Sequence, residues 1–301
     1  MKILIAGGTG LVGKALTAHF LEHGHDVVIL TTSSKYVNQE RLSYISWNPS
    51  QLTHAVSADE QFDAIINLAG SSVAKRWSHA HKQSLLNSRI SSTQTLGKIV
   101  ASLHHQPSVF IQASAIGYYA SSPEPQDEHS PNAHSFLGTI TSQWEQTAED
   151  VLPENLRKVT FRISTVLSNE GGALEPMVKL TRWGIASPLA TGKQHVSWVH
   201  ITDLVNATDY AITNTQMKGV YNVCADEVVS QKVFARTLAK VLKSPFFLPA
   251  VPAFILKLVL GEQACLVLDD QNINNAKLKA SGFVFTYPLL HAALNHLYGK
   301  N

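Results

Sequence analysis

Seven residues near the start of the chain, Gly7-Gly8-Thr9-Gly10-Leu11-Val12-Gly13, follow an apolar run at 3–6 and open a segment with helical spacing. Between a strand and a helix, each glycine has a physical task. Gly7 permits the tight turn, Gly10 lets the main chain approach a ligand with no Cβ in the way, and Gly13 lets the helix pack closely on the strand. The first amides of that helix, at Leu11, Val12 and Gly13, lack carbonyl partners one turn earlier. With Thr9 beside them they offer N–H groups and a partial positive charge to an anion. The chemistry predicted is capture of a pyrophosphate, as in a dinucleotide.

The end of the next strand, 27–30, reports on the sugar. An acidic side chain there would accept hydrogen bonds from the ribose hydroxyls of NAD. This chain has Thr31 and Thr32 instead, followed by Ser33, Ser34 and Lys35, a set of donors and one cation suited to a 2′-phosphate. Asp26 stands at the wrong end of the strand. The expectation is NADP, with NAD as the alternative.

A fold must hold these groups at one edge. Apolar runs at 3–6, 27–30, 64–68, 109–112 and 159–163 read as strands, and amphipathic segments at 11–23, 79–104 and 135–150 read as helices between them. Strands alternating with helices predict an α/β fold, a doubly wound parallel sheet of the Rossmann kind covered on both faces. Runs as apolar as Ala64-Ile65-Ile66-Asn67-Leu68 fit a sheet with little room for polar alternation. Beyond 165 the pattern changes to a Gly171-Gly172 pair, a helix at 177–183 and a stretch punctuated by Pro and Gly. Strand, helix, strand and helix then follow at 198–201, 203–213, 220–223 and 231–242. The expected division is a dinucleotide-binding domain over 1–240, with substrate-side excursions around 165–200, and a smaller carboxy-terminal lobe over 245–299 on the substrate side. Pro245, Pro249 and Pro252 mark its start.

The 301 residues, 45% of them apolar and 15% charged, are enough for such a core. A net charge of +2 without any basic run argues against nucleic acid as a partner. The two cysteines, Cys224 and Cys265, have no metal or redox spacing, and the 14 histidines form no convincing ligand set, so no metal is expected. A strand beginning at residue 2 predicts a protein without a leader, and no apolar run approaches the roughly 20 residues of a membrane span. The expectation is therefore a cytoplasmic protein with a small-molecule substrate, no membrane contact and self-association left open.

The same glycine turn, together with Asn67-Leu68-Ala69-Gly70, Arg76-Trp77, Lys82, Ser88-Arg89 and Thr93, resembles the extended and atypical short-chain dehydrogenase/reductases. Within these it is similar to the epimerase-family proteins that end in a small carboxy-terminal domain. Ser114-Ala115-Ile116-Gly117-Tyr118-Tyr119, Trp144-Glu145, Gly171-Gly172, Ser197-Trp198-Val199-His200-Ile201 with Asp203, Gly282-Phe283 and Tyr287-Pro288 carry the resemblance along nearly the whole chain. Ala120 and Thr32 depart from it, where glycine and arginine are usual. The resemblance implies a nicotinamide cofactor along the carboxyl edge of the sheet, with Asn67, Leu68, Ala69 and Gly70 near its adenosine portion. A turn of small residues ending a buried strand lets a ligand approach the backbone there.

The Tyr-x-x-x-Lys pair typical of that superfamily is missing. Counting back from Glu145 puts Leu137, beside Phe136, at the tyrosine position and Thr141 at the lysine position. Tyrosine ionises near pH 10, and lowering that by about three units takes roughly 4 kcal/mol of preferential stabilisation of the phenolate, usually from a cation. The remaining proton donors are Tyr118 and Tyr119, close to Ser114 at the end of a strand. Arg89, with Lys75, Arg76 and Lys82, is the surrogate cation for a tyrosine or an anionic group. Trp198, His200 and Asp203 read as structural, and Met177, Trp183, Gln194 and the Gly171-Gly172 turn read as the border of a substrate pocket. Two functions follow: an NAD(P)-dependent oxidoreductase or epimerase for an unidentified small, sugar-like molecule, or a catalytically inactive NADP(H)-binding redox sensor.

Overall fold

The protein is represented by a computed structural model that describes residues 1–33 and 35–299. Its first half runs β1 (Lys2–Ala6), α1 (Leu11–Glu22), β2 (Asp26–Thr31), β3 (Leu42–Asn48), β4 (Thr53–His54), β5 (Ala64–Asn67), α2 (His79–Ser102), β6 (Val109–Ala115), β7 (Ser122–Gln126) and α3 (Phe136–Val151). The middle continues with β8 (Lys158–Ile163), β9 (Thr165–Leu167), α4 (Leu174–Arg182), β10 (His195–Val196), β11 (Trp198–His200), α5 (Ile201–Thr213), β12 (Gly219–Val223), β13 (Val229–Ser230) and α6 (Gln231–Val241). The carboxy-terminal part holds α7 (Ala253–Leu260), α8 (Cys265–Leu268), β14 (Gln271–Ile273), α9 (Ala276–Ala280) and α10 (Leu290–Tyr298).

Eight strands form one sheet in the order β12-β8-β6-β5-β1-β2-β3-β4. All neighbours are parallel except β3 and β4. From β1 the chain winds outward through β2 and β3, then returns to the other side of β1 with β5, so the order reverses between β1 and β5. In such sheets the crevice at the reversal, beyond the carboxyl ends of the strands, is where ligands sit. Both faces are covered, as the apolar strands required. Ile3, Ile5, Val27 and Ile29 pack with Leu16 and Phe20 of α1 and Leu204 of α5. Leu4, Ala6, Val28 and Leu30 pack with Leu96 and Ile99 of α2 and Leu152 beyond α3. This is the doubly wound Rossmann architecture.

Seven strands escaped the pattern reading, β3, β4, β7, β9, β10, β13 and β14, most of them only two or three residues long. β3 has a mixed sequence, Leu-Ser-Tyr-Ile-Ser-Trp-Asn, because it lies near the sheet edge, and β4 is two residues long. β7 contains two prolines and survives because it pairs only with β14, in a two-stranded ladder. The segment expected as a separate lobe behaves in two ways. Leu278, Phe283 and Phe285 belong to the same core cluster as the central strands, and Leu290 and Leu294 of α10 pack with Phe234 and Leu238 of α6. In contrast, no residue of α7 is buried.

Candidate functional site at the carboxyl edge of the sheet

The strand-to-helix turn after β1 has the geometry its glycines suggested. Gly7 adopts φ +83°, and a Cβ there would fall 2.8 Å from the Leu68 carbonyl carbon and oxygen. A Cβ on Gly13 would collide with the Gly7 carbonyl oxygen. These two glycines are demanded by the fold. Gly10 differs. Its φ of −78° and ψ of 177° are open to any residue, and a Cβ there would make only an ordinary 3.4 Å contact with the Gly7 oxygen. It caps α1 without a side chain, whereas Ser78, Ser135 and Ser230 each cap their helices by accepting an amide N–H. The first amides of α1, at Leu11, Val12 and Gly13, therefore face the exposed surface of the turn at Thr9 and Gly10. Gly172, at φ +80°, stacks against the Leu11 side chain, which brings the Gly171-Gly172 turn over the start of α1.

At the end of β2 the Thr31 hydroxyl accepts a hydrogen bond from the Ser33 amide (3.1 Å), and the Ser33 hydroxyl accepts one from the Lys35 amide (3.2 Å). The turn leaves Thr32 and Lys35 exposed. Ser34, named among the same donors, lies outside the described residues.

The 67–70 turn lies opposite, across the Gly7 contact. Asn67 is fully buried, donates to Thr93 Oγ1 (2.9 Å) and Gln112 Oε1 (3.0 Å), and accepts from the Ala69 amide (3.1 Å). Leu68, Ala69 and Gly70 are thereby held in one conformation. Arg89 lies beside Gly70, so close that a Cβ on Gly70 would come within 3.1 Å of the guanidinium carbon. Its Nη1 donates to the carbonyls of Leu85 (2.9 Å) and Ser71 (3.2 Å), and its guanidinium lies 4.9 Å from the centre of the Trp144 ring. Burial lowers its pKa to about 10. Among the described residues no carboxylate pairs with it. Arg89 is thus a half-buried cation without an anion near the switch point of the sheet, with the charge to bind an anionic group.

The catalytic candidates form a polar cluster at the ends of β6 and β8. Ser114, nearly buried, donates to Glu145 Oε1 at 2.5 Å. Glu145 is held bidentately by Arg162, with Nε to Oε1 at 2.9 Å and Nη2 to Oε2 at 2.8 Å. Arg162 is the residue that sequence reasoning missed. Its signal was a cation between the apolar Phe161 and Ile163, in the interior of a strand expected from the sequence to be buried. Burial alone would discourage its charge, but the bonds to Glu145 outweigh this and hold the guanidinium firmly protonated. The two tyrosines separate. Tyr119 is buried, accepts from Arg162 Nη1 (2.9 Å) and donates to Asn222 Oδ1 (2.7 Å). Burial pushes its pKa up to about 12, against the opposing pull of Arg162. Tyr118 is half-buried, its ring face lies 3.3 Å from the Arg162 guanidinium carbon, and its hydroxyl has no hydrogen-bond partner among the described residues. Arg162, not Arg89, is therefore the cation at the tyrosines, and Arg89 lies instead beside Gly70 and Trp144. On α3, Leu137 packs against Gly117 and Thr141 is turned back onto the Leu137 and Gly138 carbonyls.

His200 and Asp203 are structural. His200 is fully buried and caps α5 by accepting the Thr202 amide (3.1 Å), and burial followed by His296 lowers its pKa to about 4. The Asp203 carboxylate accepts from the Thr286 (2.6 Å) and Tyr287 (3.0 Å) amides, fastening the carboxy-terminal segment. The residues expected to border one pocket are dispersed. Met177 lines one cavity, Gln194 lines another of about 760 Å3 together with Lys193, Lys257, Glu262 and Asp270, and Trp183 is exposed. The lining of the larger cavity includes no member of the polar cluster, but hydrogen bonds link it to neighbouring segments. Asp270 bonds to Ser121 and Ser122, just beyond Tyr119, and Glu262 and Gln263 bond to Lys82 and to the carbonyls of Val73 and Lys75. No group of His, Cys, Asp and Glu able to hold a metal occurs among the described residues, and no helix there is long and apolar enough to cross a membrane.

A reversed parallel sheet, a glycine turn at its switch point and a Ser-Tyr cluster beyond β6 define a dinucleotide-fold protein of the short-chain type, and the comparisons agree. The chain belongs to the NAD dependent epimerase/dehydratase family, which matches residues 3–224, and a domain of unknown function, DUF1731, matches 251–297. Epimerase family protein SH2119 of Staphylococcus haemolyticus is 36% identical over 298 residues, covering 98% of each chain. Human epimerase family protein SDR39U1 (isoform 2), solved with NADPH, is 29% identical and superposes with a TM-score of 0.89 over 99% of both chains. UDP-N-acetylglucosamine 4-epimerase of Bacillus cereus, 17% identical with a TM-score of 0.74 over 99% of this chain and 98% of its own, shares the fold alone.

Proposed function

We propose that the protein binds NADP(H) across the β1–β5 crevice and uses it as an oxidoreductase or epimerase on a small polar molecule. The observation that carries this reading is Gly10, a glycine for which the fold has no use and which leaves the amides of α1 bare. The residues fit the cofactor: Leu11, Val12 and Gly13 would hold the pyrophosphate, Arg89 a phosphate oxygen, Leu68 to Gly70 the adenosine side, and Thr32, Ser33 and Lys35 the 2′-phosphate. NADPH in the human relative supports the choice of nucleotide. When bound, the nicotinamide supplies a hydride donor or acceptor.

The chain's own part is proton handling. Tyr118 Oη would exchange a proton with the substrate oxygen, with the Arg162 guanidinium stacked on the ring to hold the side chain in position. Ser114 and Glu145 keep Arg162 in place. The substrate would occupy the 760 Å3 cavity, whose lining includes Lys193, Gln194, Lys257, Glu262 and Asp270, charged and polar groups suited to a sugar-like or anionic molecule. The test is NADPH consumption with a panel of carbonyl compounds and nucleotide sugars. Tyr118→Phe should lower kcat at least a hundredfold with the nucleotide Kd unchanged, and full activity in that variant would refute the role. One observation favours the rival reading of a redox sensor without turnover: Leu137 and Thr141 occupy the positions of the missing pair, and Tyr119 is locked away. Tight, redox-selective binding without turnover across the panel would favour the sensor.

A further inference from the structure

The second cavity, of about 590 Å3, lies between α4, α6 and the segment 248–256, and neither the glycine turn nor the Tyr118 cluster contributes to it. Its origin is in the sequence. Pro245, Pro249 and Pro252 keep residues 244–252 extended ahead of α7, so they cross the gap between the two helices without filling it, tied by a bridge between Leu189 and Val251. The walls are Met177, Leu180, Ala235, Leu238, Leu248 and Ile255. Three polar side chains reach it. Thr181 spends its hydroxyl on the Met177 carbonyl, and Ser187 is half-exposed. Gln231, 4% exposed, accepts the Leu189 amide on Oε1 (2.8 Å) and leaves its Nε2 donor without a partner among the described residues.

Those facts select the occupant. Water needs two to four polar partners to be held in place, whereas the walls are mostly apolar and the interior polar group left over among the described residues is the accessible Gln231 Nε2. A space of this size with apolar walls and a single directed polar group matches a small-molecule site, for which about 300–1,000 Å3 is usual. We infer that this cavity binds an uncharged alkyl or acyl chain carrying one acceptor oxygen, which Gln231 Nε2 recognises. Half-exposed Leu180 and Ile185 mark its mouth. The inference stands apart from the nucleotide reading and would survive its failure.

The test is calorimetric titration of the full chain with methyl decanoate, below its solubility limit. Saturable binding with one site per chain is expected. Gln231→Glu keeps the acceptor for Leu189 but replaces the donor, and should weaken binding at least tenfold. Ala235→Phe fills the cavity and should abolish binding. Leu180→Glu, which leaves the core untouched, should weaken binding at least tenfold even if Ala235→Phe does not fold. NADPH titration of the same variants should be unaffected, which separates this site from the nucleotide crevice. Absence of saturable heat, or affinity unmoved by both Gln231→Glu and Leu180→Glu, overturns the assignment. So does a dimeric protein that takes up the ester only on dilution, which would make the cavity an interface between copies.

Discussion

Single residues carry the sharpest claims. Gly10 needs no special backbone angle and has room for a side chain, so Gly10→Val should fold with an unchanged Tm. The added methyls would stand over the α1 amides, and nucleotide affinity should drop at least a hundredfold, about 2.7 kcal/mol, in a fluorescence titration. A parallel loss of stability would show instead that the fold demands this glycine. Arg89 makes the converse case. It is a half-buried cation bonded only to carbonyls, so Arg89→Met should weaken NADPH binding by about tenfold or more, since a hydrogen bond to a charged group is worth about 1.5–3 kcal/mol. An unchanged Kd in that variant would remove Arg89 from the site. The glycines were legible in the sequence because they stand between a strand end and a helix start, whereas Arg89, in the middle of α2, was legible only through the family resemblance of Ser88-Arg89. Arg162 was not, because its meaning lies in Glu145, 17 residues away on another element, and in Tyr118. Likewise only packing distinguishes Tyr119, whose hydroxyl is consumed by Asn222, from Tyr118, whose hydroxyl is free among the described residues.

At the scale of elements, buried polar links fasten helices to the sheet. Glu145 of α3 and Arg162 of β8 form a closed, bidentate pair, and breaking it leaves a charge without a partner. Glu145→Ala should cost about 3–5 kcal/mol in denaturant unfolding, an order of magnitude typical of such pairs. The cap of α5 makes stability depend on pH. His200 has a folded pKa near 4, below the usual 6.5, so the folded protein binds fewer protons than the unfolded chain between these values. Its contribution is therefore complete above about pH 6.5 and is lost as the pH falls toward 4. His200→Asn, which puts a capping Oδ1 in place of the ring Nδ1 and does not titrate, should flatten the Tm profile over that interval. A profile identical to the parent would assign acid sensitivity to other groups. The main strands were readable because burial on both faces leaves continuous apolar runs. β3, β4 and β7 were not, since edge or two-residue strands make few demands on side chains.

For the whole molecule, the parallel order and its reversal between β1 and β5 decide where chemistry can occur, and alternation along the chain foretold that much. It did not foretell how the carboxy-terminal segment joins the body. Asp203 holds the Thr286 and Tyr287 amides, while Leu278 and Phe283 enter the central core. Removing 271–299 should therefore abolish cooperative unfolding rather than release a separate lobe, as circular dichroism during heating would show. The claim on which the account rests most heavily is that the bare amides of α1, at the switch point of the sheet, hold a dinucleotide. Calorimetric titration of the folded, full chain with NADPH, NADP+, NADH and NAD+ tests it directly. Saturable one-to-one binding, tighter for the phosphorylated pair, is the predicted result, and no heat with any of the four would contradict it.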